Sequence, residues 1–341
     1  MQRTSILIAA VALTACPRTT APPPVQVVHG SSATLAAERA TDGTVQDRLV
    51  TDDAQLVIFY ASEQKGSLEP CGCPKEPRGS VPRLAAYIEA STAANPDTPW
   101  MLLNAGYFFE DAIGVGGELR EDVPLINRWM ARGLDHWKGW TAFNPGYVDL
   151  PGMVDLADEL PELPFVSANV RARSDAVAAI QPWVMVQSGG LRVGVTGIST
   201  PGVSFVATPQ YAVEPPGPAV EAVLDDMRGK VDLVVLMAFQ AIDEARTLAK
   251  KHPEISVVVD AYGHHESVPP FTVGSAVWVK SHHQTQRLGE LRLWVEDGQV
   301  VRALDRKVEL DPDIPGDGEL TDIMVRAHQE IELKAREIWG P

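Results

Sequence analysis

Short aliphatic runs, apolar at nearly every position rather than at alternate ones, recur from Leu56 onward. They read LVIFYA (56–61), WMLLNAG (100–106), FVSANV (165–170), VDLVVLMAF (231–239), ISVVVDA (255–261) and AVWVKS (276–281). Runs of this length, rich in Val, Ile and Leu, predict strands of sheets covered on both faces. A shorter strand is predicted at 141–144, and the segments 80–93, 118–132, 151–159, 216–228 and 240–251 predict helices between the strands. Two stretches turn back on themselves. WVMVQSGGLRVGVTGI reverses at Ser188-Gly189-Gly190, and LGELRLWVEDGQVVRALDRKVEL reverses at Asp297-Gly298, both of them hairpin signals. The last segment, GELTDIMVRAHQEIELKAREIW, puts Leu320, Ile323, Met324, Ala327, Ile331 and Ile338 on one face of a helix. The fold class expected is α/β, with mixed sheets, because hairpins demand antiparallel pairs among strands otherwise joined by helices.

The first 54 residues lack this pattern. The chain opens MQRTSILIAAVALTAC, with Arg3, an apolar run from Ile6 to Ala15, and then Cys16. A basic start, a short apolar core and small residues before a cleavage point make a secretory signal, too short to span a membrane. Leu13-Thr14-Ala15-Cys16 resembles a bacterial lipobox, in which cleavage leaves Cys16 as a lipidated N-terminus. Attached acyl chains contribute about 0.8 kcal/mol per buried CH₂, so several together anchor a protein firmly. The expected organisation is a signal peptide (1–15), lipidated Cys16 with a Pro/Ser/Thr/Ala-rich spacer (16–54), a globular domain (55–317) and an amphipathic helix (318–341). The chain would then be held at the cell envelope, on the extracytoplasmic side, with the membrane as a partner through its lipid.

Charge narrows the partners. With 45 acidic against 29 basic residues the formal net charge is -16, which opposes a nucleic-acid surface. Only 3 cysteines are present, and two of them, Cys71 and Cys73, stand in GSLEPCGCPKEPRGS. Outside the cytoplasm they read as an intraloop disulfide, as soft-metal ligands or as a redox pair. The disulfide leads, because a metal would need further soft ligands, which only histidine can supply once Cys16 carries lipid.

The loops that follow the strands come in a recognisable order: ASEQKGSLEPCGC, LLNAGYFF, FNPGYVDL, then VDLVVLMAF, VVVDAYGHH and QTQRLGELRL. This order resembles the calcineurin-like metallophosphoesterases, specifically their periplasmic 5′-nucleotidase branch, over nearly all of Gln55 to Leu310. The resemblance implies two facing mixed β-sheets flanked by helices. It also implies a site at the strand ends where two divalent cations, bridged by a carboxylate, clamp a phosphoryl group and supply a hydroxide.

Set against the family's D-x-H-G, G-D, G-N-H-D/E, His and G-H-x-H motifs, the ligands themselves are mostly replaced. The first loop has Glu63-Gln64-Lys65, and the bridging carboxylate falls on Tyr107. Asn144 matches the family's amide, with Pro145 in place of the following histidine, and Gly146-Tyr147-Val148-Asp149 is a competing match. The fourth motif's imidazole falls on Phe239 or Gln240, and the last motif reads Gly263-His264-His265-Glu266. What remains for metal is Glu63, Asn144, His264 and His282, with Lys65, Tyr107, His265 and Glu266 as further cleft residues. Adjacent histidines on an extended segment point to opposite sides, so at most one of each pair faces a given site.

Two functions follow from the resemblance. One is a non-catalytic binding or scaffold lipoprotein, with an envelope protein or a small anionic ligand as partner. The other is a divergent phosphoester hydrolase with a rebuilt or mononuclear site for Mn or Zn. In 5′-nucleotidases a further C-terminal domain grips the nucleoside, and the residues up to Pro341 offer no counterpart, so nucleotide specificity is not carried over.

Overall fold

The computed structural model describes residues 25–27, 33–41, 43–71, 75–114, 117–160, 163–202, 208–263, 268–280 and 282–340. In chain order the first elements are β1 (Val25–Val27), β2 (Thr34–Ala40), α1 (Val45–Arg48), β3 (Leu56–Ala61), α2 (Val81–Ala94), β4 (Trp100–Asn104), α3 (Val123–His136), β5 (Ala142–Phe143) and α4 (Leu150–Asp155). The middle of the chain forms β6 (Val170–Ala172), β7 (Val184–Ser188), β8 (Leu191–Ser199), β9 (Tyr211–Val213), α5 (Pro216–Met227), β10 (Leu233–Phe239) and α6 (Ile242–Lys251). The remainder forms β11 (Val257–Asp260), β12 (Phe271–Val273), β13 (Ala276–Lys280), β14 (Arg287–Glu296), β15 (Gln299–Glu309) and α7 (Gly318–Trp339).

The strands make two large mixed sheets, ordered β1-β2-β15-β14-β3-β4-β5 and β12-β13-β11-β10-β8-β7, with β6 and β9 paired apart. β3, β4 and β5 run parallel in the first sheet, and β8, β10, β11 and β13 run parallel in the second, joined through helices except between β11 and β13, where β12 intervenes. Both expected hairpins form. Gly189 and Gly190 turn at φ +58° and +87°, Asp297 and Gly298 at +49° and +73°, the left-handed pairs that match the twist of two-residue hairpins.

The strands read apolar throughout because each sheet is covered twice. Ile58, Leu103, Val195, Val235, Met237, Val259 and Leu291 fill the layer between the sheets. Phe59, Leu84, Ile88, Phe143, Leu288, Val308, Leu320 and Ile323 pack the outer face of the first sheet under α2 and α7. Val220, Leu224, Leu236, Val258 and Trp278 do the same for the second sheet under α5. Each such side chain contributes about 1.5–3 kcal/mol by leaving water.

The structure departs from the sequence reading at four places. The region expected as spacer supplies β2, paired in parallel with β15 from Thr34 to Ala40, so the folded part reaches upstream of Gln55. Its run TLAAERA is too poor in large apolar residues to signal a strand, and the sheet recruits it by backbone pairing. FVSANV is not continuous: Phe165 and Val166 make single bridges, and the chain enters β6 only at Val170. There Asn169 bonds Ser199 O, Glu214 O and Ser199 N, replacing ladder bonds. Helix α3 starts at Val123 rather than 118, with Pro124 in its first turn. In α7 only Leu320, Ile323 and Ala327 of the predicted stripe are fully buried. Among the described residues no helix is long and apolar enough to cross a membrane.

Candidate functional site

The parallel strands of both sheets end on one side of the molecule, where ligands gather in such folds. Glu63 and Lys65 follow β3 at φ +48° and +52°, and Tyr107 follows β4 at +59°. Left-handed backbone at three non-glycine residues is costly and persists only where the surroundings impose it. Here the two loops zip together: Glu63 N donates to Gly106 O at 2.9 Å, Lys65 N to Tyr107 O at 3.0 Å and Gly66 N to Phe108 O at 2.9 Å. At Gly106, φ +131°, a Cβ would sit 2.9 Å from the Phe239 ring, so the position requires glycine for both conformation and space.

Side chains follow from this backbone. Lys65 Nζ lies 3.5 Å from Glu63 Oε2 and 5.0 Å from the centre of the Tyr107 ring. Tyr107 also meets Phe239 edge-on at 6.2 Å, and Phe239 in turn meets Tyr147 at 5.9 Å and Tyr262 at 5.3 Å. Asn144 ties the sheets together, its amide nitrogen donating to Ala105 O at 3.1 Å and Ile198 O at 2.9 Å. Its amide oxygen is buried without a hydrogen bond among the described residues. Gln284 N donates to Glu63 O at 2.7 Å, which brings the segment after β13, with buried His282, against the first loop.

Glu63, Lys65, Tyr107, Asn144 and His282 therefore lie on one end of the fold. His264, His265 and Glu266 lie outside the described residues, as do Cys73, with the disulfide reading, and Cys16. Cys71 is described: its N–H donates to Arg78 O at 2.7 Å, and its sulfur accepts from Arg78 N at 3.3 Å.

Two features of the site had no assigned role in the sequence. Asp149, there only the end of a competing motif match, is fully buried and accepts from Gly146 N and Tyr107 N at 2.8 Å and from Phe109 N at 2.9 Å. It fixes the second loop to the third. Burial pushes its carboxyl up to about 7 despite those donors. Asp260 and Lys280 end two neighbouring strands, with Lys280 Nζ 3.5 Å from Asp260 Oδ2 and donating to Tyr262 O at 2.7 Å. Their signal was an acid and a base closing the adjacent apolar runs VVVD and VWVK.

The described donors do not fit a binuclear metal centre. Burial and the neighbouring carboxylates Asp111, Glu110, Asp149 and Glu63 push the Tyr107 phenol far above its ordinary range, so in the metal-free protein it is a neutral phenol where a bridging centre needs a carboxylate. Lys65 brings a cation paired with the nearest carboxylate, and the Phe239 ring offers no lone pair. Among the described residues no three His, Cys, Asp or Glu side chains converge as a metal-holding group.

The architecture is that of the calcineurin-like phosphoesterases of 5′-nucleotidase type. A 5′-nucleotidase precursor from Thermus thermophilus aligns over 82% of this chain and 59% of its own, at TM-score 0.65 and 19% identity. The Thermus thermophilus sulfate thiohydrolase SoxB aligns over 82% and 62%, at TM-score 0.66 and 15% identity. The calcineurin-like phosphoesterase YfkN from Bacillus subtilis aligns over 84% of this chain and 100% of its own, at TM-score 0.63 and 16% identity. This chain thus spans about three fifths of the first two relatives. No family model and no curated protein matches the sequence.

Proposed function

We propose that this protein is an envelope lipoprotein, anchored through Cys16, that keeps the nucleotidase-type scaffold as a non-catalytic binding or scaffold domain. The observation that carries this reading is Tyr107. At the family's bridging-carboxylate position stands a neutral phenol whose ring is held between Lys65 and Phe239. Replacing a charged centre by packed apolar groups is often neutral or favourable for stability, so the fold would survive the exchange while the two-metal chemistry would lose its bridging carboxylate. The ligand proposed for the remaining cleft is a small anion, with Lys65, whose Nζ lies 5.0 Å from the centre of the Tyr107 ring, as its cationic contact.

A second reading has one observation in its favour. The amide oxygen of Asn144 is buried without a partner among the described residues, and a single Mn or Zn ion held with Glu63, His264 and His282 would make the domain a divergent phosphoester hydrolase. The test is to load the purified protein with manganese and zinc separately, desalt it and count metal per chain. Less than a tenth of an ion per chain is the expected result. Two ions would overturn the reading, and one ion lost in His264→Ala would establish the second. Anchoring is tested apart from this: a Cys16→Ser variant should no longer incorporate labelled fatty acid.

A further inference from the structure

Where β2 and β15 end and β14 begins, three guanidinium groups share one carboxylate. Arg39 on β2 lies beside Lys307 in the β2–β15 register, and Arg287 on β14 lies opposite Glu309 on β15. Arg78 arrives from the loop that follows Cys71. Glu309 Oε2 accepts from Arg78 Nη1 at 3.0 Å, Glu309 Oε1 accepts from Arg287 Nε, and Arg39 Nη2 lies 3.7 Å from Oε1. The carboxylate is only 3% exposed, while the Arg39 side chain is 57% exposed. The arrangement runs from a buried anion outward to open cations.

The other buried arginines are spent, and so is Arg83. Arg292 and Arg306 divide Glu290, Asp52 and Glu38 between them. Arg48 is answered by Asp311 at 2.9 Å. Arg83 gives its donors to the carbonyls of Pro77, Gly79 and Leu310, so it holds its own loop together. Here one glutamate answers three cations, and among the described residues only Arg78 has a second ion-pair partner, Glu76. Arg287 bonds through Nε, which leaves both Nη groups without a hydrogen bond among the described residues. Lys307 behind them is paired inward with Asp305. In a chain of net charge -16, an excess of fixed positive charge held by a buried carboxylate is a built feature rather than a solvated face.

We propose that Arg39 and Arg287, oriented by Glu309 and flanked by Arg78, form a binding site for a tetrahedral oxyanion: inorganic phosphate, or the phosphoryl group of a larger ligand. Guanidinium edges present paired N–H donors at the spacing of two oxyanion oxygens, and a carboxylate behind them fixes the fork in place. The site is linked to the candidate cleft through Gln286 and Gln284. Gln286, which precedes Arg287, donates to Gln284 Oε1 at 3.3 Å, and Gln284 N donates to Glu63 O. It does not depend on whether any metal binds.

Inorganic phosphate is titrated into the purified protein at low ionic strength with EDTA present, so that metal-held phosphate cannot contribute, and binding is read by calorimetry. One saturable site per chain is expected. It should weaken at least tenfold in Arg39→Ala and in Arg287→Lys, which keeps the charge and loses the fork. Arg336→Ala, at the far end of α7, should bind as wild type does. Unfolding midpoints of all variants verify the fold, and Arg39, half in solvent, carries little of it. No saturable binding by the wild type, or equal binding by Arg39→Ala, would overturn the proposal. Both outcomes leave the metal count of the purified protein as it stands.

Discussion

The phenol oxygen of Tyr60 lies 2.6 Å from a carboxylate oxygen of Asp305, inside the layer between the two sheets. Lys307 closes the triangle, donating to Asp305 Oδ2 at 2.6 Å and to the same phenol. All three are buried. Burial drives the Asp305 carboxyl up and the Lys307 ammonium down, and each partner opposes the other's shift. Losing one member strands the other's charge. Lys307→Met is therefore expected to cost about 3–5 kcal/mol, whereas Tyr60→Phe/Asp305→Leu/Lys307→Met together should come within about 2 kcal/mol of wild type. Urea denaturation checks this, and a Lys307→Met protein as stable as wild type would show that the pair is not coupled.

Gly289 faces the same ring. A Cβ built there would lie 2.1 Å from Tyr60 Cζ. Tyr60 is held at its hydroxyl by two partners and has no room to yield, so Gly289→Ala should destabilise by about 1–3 kcal/mol through overpacking. Gly217→Ala, where the nearest atom is 4.0 Å away, is the control. If both variants melt with the wild type, the packing argument at Gly289 is wrong.

Asp149 makes stability depend on pH. Its carboxyl sits at about 7 in the folded protein, against about 3.9 in an unfolded chain. Between those values the folded state binds the extra proton, so its contribution is full below about pH 4 and lost as pH rises through about 7. The stability difference between wild type and Asp149→Asn should fall by roughly 1.4 kcal/mol per pH unit across that window and level off above it. Denaturation series at pH 5, 6, 7 and 8 read the slope. A flat difference would mean that the three N–H donors hold the carboxylate ionised throughout.

How far the sequence carried the fold can be judged at particular residues. LVIFYA became β3 and both glycine turns became hairpins because each is a local signal: composition for the one, left-handed φ for the other. TLAAERA gave no such signal, since β2 is held by pairing with β15 rather than by its own side chains. At the site, Glu63, Lys65 and Tyr107 drew notice through a motif resemblance, and the structure adds their left-handed backbone and mutual contacts. Asp149, Asp260 and Lys280 carried no role that the sequence could assign. Their roles come from what they face across two loops or two strands, and spacing along one chain does not encode that. The three arginines on Glu309 are legible only once β2, β14 and β15 are set side by side.

Phe239 gives the sharpest test of a cleft closed by packing. Its ring touches Tyr107, Tyr147 and Tyr262, and Cβ atoms added at Gly106 or Gly146 would stand 2.9 and 2.7 Å from it. Phe239→Ala should then cost about 3–5 kcal/mol, as for a buried aromatic with no neighbour free to collapse into the space. Tyr107→Phe should be close to neutral, because the phenol oxygen makes no hydrogen bond among the described residues and its ring does the packing. A metal-binding or catalytic Tyr107 predicts the reverse pattern: a small effect at Phe239 and loss of metal or activity on removing one oxygen. Thermal denaturation of the two variants, with metal content measured alongside, separates a plugged site from a working one.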